Sequence, residues 1–295
     1  MIQTAVPDAL PFIKMQGIGN DFVVVDCLQG ATAGADTLQA ASVQLCDRRF
    51  GIGGDGVLLV LPSSVADFQM RMFNPDASEA EMCGNGIRCF AKFVADSGYT
   101  DANTITVETL GGVKRLEMTR GTDGRVERVK VDMGAPGLNR SDLPMTGDDD
   151  QVIATPVTTT TGDTLTVTGV SMGNPHVVFF VDDLNGVDIT RVGPTVEHAP
   201  VFPRRTNVHA AQILSRSELR MTIWERGAGA TLGCGTGACA VVVAAHLNGL
   251  TDRRVLTHLP GGDLHIEWSD DNHVYMTGPA ETVFEGSISL PVNTL

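Results

Sequence analysis

The sequence predicts an α/β fold of the α+β kind: two pseudo-symmetric, duplicated lobes, each a mixed sheet or barrel wrapped around one central helix. Three repeated markers predict it. The first is the pair Cys83-Gly84-Asn85-Gly86 and Cys234-Gly235-Thr236-Gly237. Each is followed by an apolar run that stops at a glycine, Gly98 or Gly249, at the same distance from its cysteine. The second lies upstream, where Gly19-Asn20-Asp21-Phe22 and its apolar run match Gly173-Asn174-Pro175-His176 and its own. The third lies downstream, where Thr106-Val107-Glu108-Thr109-Leu110-Gly111-Gly112 resembles Leu256-Thr257-His258-Leu259-Pro260-Gly261-Gly262. Three markers in one order, offset by about 150 residues, indicate duplication, and a period that long describes two domains rather than a solenoid of short repeats.

The elements follow in chain order. Val23 to Val25, Leu58 to Leu61 and Met70 to Phe73 are short apolar or alternating runs bounded by glycine, proline or asparagine, and read as strands. Ile87, Phe90, Ala91 and Val94 recur at i, i+3, i+4 and i+7, the signature of a helix with one buried face. Leu116, Met118, the Gly121-Thr122-Asp123-Gly124 turn and Val126 to Val131 read as a hairpin. Ala238 to Leu247 is apolar all round, so as a helix it must be buried on every side. Its Val241-Val242-Val243 run taken alone suits a strand equally well. Its length, its alanines and the match to the first helix favour a helix. Polar stretches at Asp148-Asp149-Asp150 and Thr158 to Asp163 mark turn or edge-strand material, and the repeat starts the second half within 125–150. The lobes are read as 1–128, completed by the C-terminal segment 279–295, and 129–278.

Composition narrows the function classes. A chain of 295 residues is long enough for two ordinary domains. A formal net charge of −14 with no basic run argues against nucleic acid. The N-terminal stretch has no basic region followed by an apolar core, and no apolar run is long enough to span a bilayer. The expectation is therefore a cytoplasmic protein whose six cysteines stay reduced. The close pairs Cys83/Cys89 and Cys234/Cys239 are too widely spaced for a zinc knuckle, and no cofactor motif is present, so neither metal nor cofactor is expected. Gly51-Ile52-Gly53-Gly54-Asp55-Gly56 looks like a phosphate loop but lacks the lysine that should follow it.

The repeated cysteines suit proton transfer at carbon. A free thiol is mostly protonated at neutral pH. A helix N-terminus, with its unpaired N–H groups and partial positive charge, favours the thiolate. Two thiols facing one carbon from opposite sides could remove a proton from one face and return one to the other. Backbone N–H groups of Gly84-Asn85 and Gly235-Thr236 could hold a carboxylate, which takes up charge when its α-proton leaves. Cys27, Cys46, Cys89 and Cys239 have no such context and read as packing residues. Asn20 and Asn174 could equally be turn residues, His176 a core histidine, and Glu225-Arg226 a solvated pair.

Taken together, these segments resemble the diaminopimelate epimerase family. The resemblance runs from Lys14-Met15-Gln16-Gly17-Ile18-Gly19-Asn20-Asp21-Phe22 through Gly51 to Gly56, Phe73 to Glu79 and Met82 to Cys89. It continues through Gly173-Asn174-Pro175-His176 and Thr206-Asn207-Val208 to Glu225 to Thr231 and Cys234 to Cys239. It implies a cofactor-independent isomerase that interconverts L,L- and meso-diaminopimelate, a step of lysine and peptidoglycan synthesis, in a cleft between two lobes of a homodimeric protein. It also implies roles. Cys83 and Cys234 are the acid/base pair. Gly84, Asn85, Gly235 and Thr236 hold the reacting carboxylate. Asn20, Asn74, Asn174, Asn207, Glu225 and Arg226 line the site, and His176 and Glu225 tune the thiols. Cys234 is read as the proton acceptor and Cys83 as the donor, an order the sequence does not itself settle. Some members carry glutamine where this chain has Gly56, so that side-chain contact is missing. His209 receives no role.

Three alternatives stay open on the residues alone. A proline or hydroxyproline racemase would share both cysteines but needs no clamp for a distal amino-acid end. A thiol redox protein would favour Cys-x-x-Cys, which is absent. A non-catalytic binding protein would have no need of both cysteines.

Overall fold

The computed structural model describes residues 9–30, 34–148 and 150–290. Most of the N-terminal stretch, Asp149 and the last residues of the 279–295 segment lie outside the described residues. The chain divides into two compact units. One holds the described residues up to Val131 together with those from Pro279; the other is Asp132–Gly278.

The first unit runs β1 (Leu10–Gly17), β2 (Asn20–Asp26), α1 (Ala35–Cys46), β3 (Gly56–Leu61), β4 (Phe68–Phe73), β5 (Glu79–Ala80), α2 (Gly84–Asp96), β6 (Thr104–Thr109), β7 (Gly112–Arg120) and β8 (Val126–Asp132). β1 and β2 form an antiparallel hairpin, β2 runs parallel to β3, β3 antiparallel to β4, and β4 parallel to β6. Strands β6, β7 and β8 make an antiparallel meander. The two parallel steps need crossovers, and α1 and α2 supply them. The last strand of the chain, Glu281–Ile288, lies antiparallel against β1.

Burial on both faces explains why β2 and β3 read as unbroken apolar runs rather than alternating ones. Val23, Val25, Val57 and Leu59 face α1, where Leu38, Ala41 and Leu45 meet them. The alternate residues face the other side, where α2 packs on β1, β2, β3, β4 and β7. Ile87, Phe90, Ala91 and Val94 of α2 are wholly buried there.

The second unit repeats this plan with β9 (Thr155–Thr158), β10 (Thr164–Ser171), β11 (Pro175–Phe180), α3 (Ile189–Glu197), β12 (Asn207–Ser215), β13 (Glu218–Glu225), β14 (Gly229–Ala230), α4 (Gly235–Leu247), β15 (Arg254–Leu259), β16 (Gly262–Trp268) and β17 (Val274–Pro279). β10–β11, β12–β13 and β15–β16–β17 pair antiparallel, whereas β11–β12 and β13–β15 pair parallel, step for step as in the first unit. β9 lies against β10 as the last strand lies against β1.

Val241-Val242-Val243 is helical. Ala238 to Ala245 of α4 are all fully buried, enclosed by β10, β11, β12, β15 and β16. Placing a valine in a helix costs under about 1 kcal/mol, whereas burying it contributes about 1.5–3 kcal/mol, so enclosure decides. The 121–124 turn closes the β7–β8 hairpin with Gly124 at φ +79°.

Helices α1 and α3 are absent from the sequence reading. α3 contains Gly193 and Pro194, which read as breakers. Gly193 is there because a Cβ would lie 2.3 Å from the Trp224 ring. Among the described residues, no helix is long and apolar enough to cross a membrane.

One buried charge ties the first unit together. Arg88, on α2, is fully buried. Its Nη1 donates to Gly84 O at 2.9 Å, its Nη2 to Asn85 Oδ1 at 2.9 Å, and its Nε to Pro279 O at 3.1 Å. The first turn of α2 is thereby bonded to the residue where the chain re-enters this unit. Arg88→Ala leaves those acceptors unpaired beside a cavity, and is expected to cost about 2–5 kcal/mol of stability. Thermal or denaturant unfolding checks this; an unchanged midpoint would show that the guanidinium is dispensable.

Candidate functional site

Both repeated cysteines occupy the N-cap position of a central helix. Cys83 has φ −133° and ψ 116°, and Cys234 has φ −121° and ψ 106°. This extended backbone folds each side chain back over the first helical turn. Each sulfur accepts a backbone N–H from the third residue on, Gly86 or Gly237, both at 3.4 Å. Gly84, Asn85, Gly235 and Thr236 fill the first turn, where N–H groups have no partner within the helix.

In the first unit Cys83 is half-buried. Its sulfur lies 3.8 Å from Asn20 Oδ1, which also accepts Asn85 Nδ2 at 3.2 Å. Asn20 Nδ2 donates to Asp55 Oδ2 at 2.6 Å. Arg48 binds both Asp21 and Asp55, and Lys14 pairs with Asp21 at 2.6 Å. Burial pushes the Asp21 carboxyl up, but Arg48 and Lys14 outweigh it and hold the group at about 2. Asn20 is thus oriented by a charged network. The sequence motifs assign no role to Asp21, Asp55, Arg48 or Lys14. Their signal was the crowding of charges beside the repeated Gly-Asn and in the glycine loop.

Cys83, Asn20 and Asn85 are therefore brought together. Asn74 is engaged locally, donating to Ser78 Oγ at 2.9 Å in the turn after β4. At Gly56, a Cβ would meet Met72 Cε at 2.9 Å and Phe73 O at 3.0 Å. A side chain at this position needs its neighbours to move, which accounts for glycine here.

In the second unit Cys234 is buried, and its sulfur lies 3.5 Å from Thr236 Oγ1. Burial pushes the thiol up, as does the adjacent Glu225 charge. The bonds from Thr236 and Gly237 pull the other way and are outweighed. Both burial and Glu225 thus favour the protonated form of Cys234. Glu225 is also held by Thr231 Oγ1 at 2.6 Å. Asn207 donates to Pro175 O at 2.8 Å and accepts Arg226 N at 2.9 Å, so it fixes the backbone carrying Arg226. Arg226 itself is exposed. Its Nη1 reaches Arg204 O at 3.1 Å.

His176 is fully buried, with Nε2 at 2.9 Å from Asn174 Oδ1 and Nδ1 at 2.9 Å from His209 Nε2. Both ring nitrogens are occupied, and the groups that act on the Cys234 thiol are Glu225, Thr236 and Gly237. His209 is likewise fully buried, and burial pushes it down to about 3. The sequence reading missed it, although its i+2 spacing from Asn207 places it on the same sheet face. Among the other cysteines, Cys46, Cys89 and Cys239 are buried and Cys27 half-buried. Burial pushes Cys89 to about 12 and Cys27 and Cys46 to about 11, as suits packing thiols.

A family model described as diaminopimelate epimerase matches residues 12–138 and 168–283. The chain belongs to the diaminopimelate epimerase family. A relative named diaminopimelate epimerase, from Moorella thermoacetica, is 54% identical over 280 residues, spanning 95% of this chain and 99% of its own length. Solved structures share the family's fold at much lower identity. A Bacillus anthracis phenazine biosynthesis protein of the PhzF family superposes with TM-score 0.70 at 16% identity, over 96% of this chain and all of its own. A probable proline racemase from Agrobacterium radiobacter K84 also gives TM-score 0.70, at 15% identity, over 96% of this chain and 93% of its own.

Only the thiolate is alkylated at a useful rate. Because the Cys234 pKa is raised, its thiolate population at neutral pH falls below that of a free thiol and grows as pH rises. Iodoacetamide labelling of Cys234, followed by peptide mass spectrometry, should therefore be slow at pH 7 and still accelerating above pH 9. A rate that levels off below pH 8 would show a thiolate at rest.

Proposed function

We propose that this chain interconverts L,L- and meso-2,6-diaminopimelate without a cofactor, with Cys83 and Cys234 as the acid/base pair. The observation that carries the reading is the matched N-cap geometry of two cysteines in a chain of this family. Epimerisation breaks one Cα–H bond and makes another on the opposite face. A thiolate takes the α-proton, and the electron pair spreads into the adjacent carboxylate. The second sulfur gives its proton to the other face. The two sulfurs end with their protonation states exchanged, which fits a mechanism that runs in both directions.

The first-turn N–H groups at Gly84-Asn85 and Gly235-Thr236 would hold the reacting carboxylate, and they help most as its charge grows. Asn20, Asn74, Asn174, Asn207 and Glu225 would contact the rest of the substrate, and the exposed Arg226 guanidinium suits its distal carboxylate. The raised Cys234 pKa fits a thiol that donates a proton on substrate entry and accepts one in the reverse direction. Such an enzyme would serve lysine and peptidoglycan synthesis in the cytoplasm, where its six thiols stay reduced.

The test is deuterium incorporation at Cα. Reduced protein is incubated with L,L-diaminopimelate in D₂O, without added cofactor, and followed by NMR. Wild type should exchange and form the meso isomer, while Cys83→Ser and Cys234→Ser should each turn over at least ~10²-fold more slowly. A folded, reduced protein that exchanges nothing rejects this substrate; exchange with proline instead would move the assignment to a racemase of that type.

Two sulfurs that share one carbon should also join when oxidised. Stoichiometric oxidation is expected to close a Cys83–Cys234 disulfide and abolish activity, with recovery on adding a thiol reductant. Full activity with that bond closed would overturn the shared-carbon geometry.

A further inference from the structure

We propose that His209 is a positioning residue that, through His176, fixes the side-chain amide of Asn174 with its NH₂ turned away from the histidines as a donor to a carboxylate. The argument starts from one atom. His209 Nδ1 is buried and has no hydrogen-bond partner among the described residues. The two ring planes are inclined by 29°, with centroids 5.2 Å apart, and their facing nitrogens meet edge to edge at 2.9 Å. Burial keeps both rings neutral, so each carries one proton.

Only two proton arrangements satisfy the His209–His176–Asn174 row. In one, His209 Nε2–H donates to His176 Nδ1, and His176 Nε2–H donates to Asn174 Oδ1. His209 Nδ1 is then a bare lone pair. In the other, the Asn174 amide is flipped and donates to His176 Nε2, His176 Nδ1–H donates to His209 Nε2, and His209 Nδ1 must hold a proton with no acceptor. An orphaned buried N–H is rarer and costlier than an under-used acceptor. The first arrangement wins, and it runs one way from His209 to Asn174. Asn174 is half-buried and, among the described residues, its Nδ2 makes no hydrogen bond, so both of its N–H groups remain for a ligand.

The duplication isolates the device. Phe22 pairs with Gly56 in the first unit as His176 pairs with Asn207 in the second, and Leu58 takes the register of His209. At Gly86 an added Cβ would meet Leu58 Cδ2 at 3.3 Å; at Gly237 it would meet His209 Cε1 at 2.6 Å and Nε2 at 2.8 Å. The same seat under the first turn of the central helix thus holds an apolar side chain in one unit and an imidazole in the other. There is no packing need for a polar ring at that seat, so the polarity serves Asn174.

The role of the donor rests on the proposed function, but the proton arrangement does not, and two measurements separate them. In protein labelled with ¹⁵N-histidine, two-bond N–H correlation spectra should show both His176 and His209 as neutral Nε2–H tautomers, assigned with His209→Gln. An Nδ1–H tautomer at either ring overturns the proposal whatever the substrate. In steady-state kinetics with L,L-diaminopimelate, His209→Met removes the donor and should raise KM roughly tenfold with kcat little changed, as for loss of a contact made equally in ground and transition states. His209→Gln, whose amide can still donate to His176 Nδ1, should recover most of that loss. Equal KM values in Met and Gln variants of unchanged fold also overturn the proposal. Wild-type protein with Nε2–H tautomers and no turnover of this substrate would instead fault the functional reading.

Discussion

Everything in each unit is arranged around a helix that is buried along its length yet starts at a thiol. Its first-turn N–H groups cannot all be satisfied from within, and burying them unpaired is costly. A cysteine at the N-cap answers one of them, since its sulfur accepts the N–H of Gly86 or Gly237. Gly84-Asn85 and Gly235-Thr236 follow the sulfur directly in the first turn. Strands wrapped around the helix exclude water from its flanks, and the glycines in the first turn leave room for close neighbours. The same geometry that completes the fold therefore sets a sulfur at the start of each buried helix.

Duplication supplies that arrangement twice, and the two copies then differ in how they hold an asparagine beside the helix. In the first unit Asn20 is held by Asp55, which Arg48 links to the Lys14–Asp21 pair. That network is partly exposed, with the Arg48 side chain 58% accessible. In the second unit Asn174 is held by the buried His176 ring, whose other nitrogen meets the buried His209. Helix interiors differ too. Arg88 stands in α2 at the step where α4 has Cys239, and only the first unit needs a guanidinium to bond its returning C-terminal segment. Backbone pairing is repeated step for step while side-chain chemistry is not, as expected where strand register is set by the apolar pattern and polar contacts are free to diverge.

Much of this was legible in the residues. The paired Cys-Gly-x-Gly segments and their spacing determined the duplication, the two central helices, the thiols at their starts and the family. These are local or periodic signals: a hydrophobic period, a cap and a glycine end are written within one stretch of chain. The hairpin at Gly121 to Gly124 was equally local. The tertiary structure alone decided the rest. Val241 to Val243 is helical because strands enclose it on every side. α3 survives Gly193 and Pro194 because Trp224 fills the space that glycine leaves. The Cys234 thiol is pushed up because burial and Glu225 act on it together, and the His209 ring comes to lie against His176 and Gly237. Each of these depends on groups far apart in sequence meeting in a medium of low polarity, where one neighbour changes the energy of a proton or a packing contact, and no single segment carries that information.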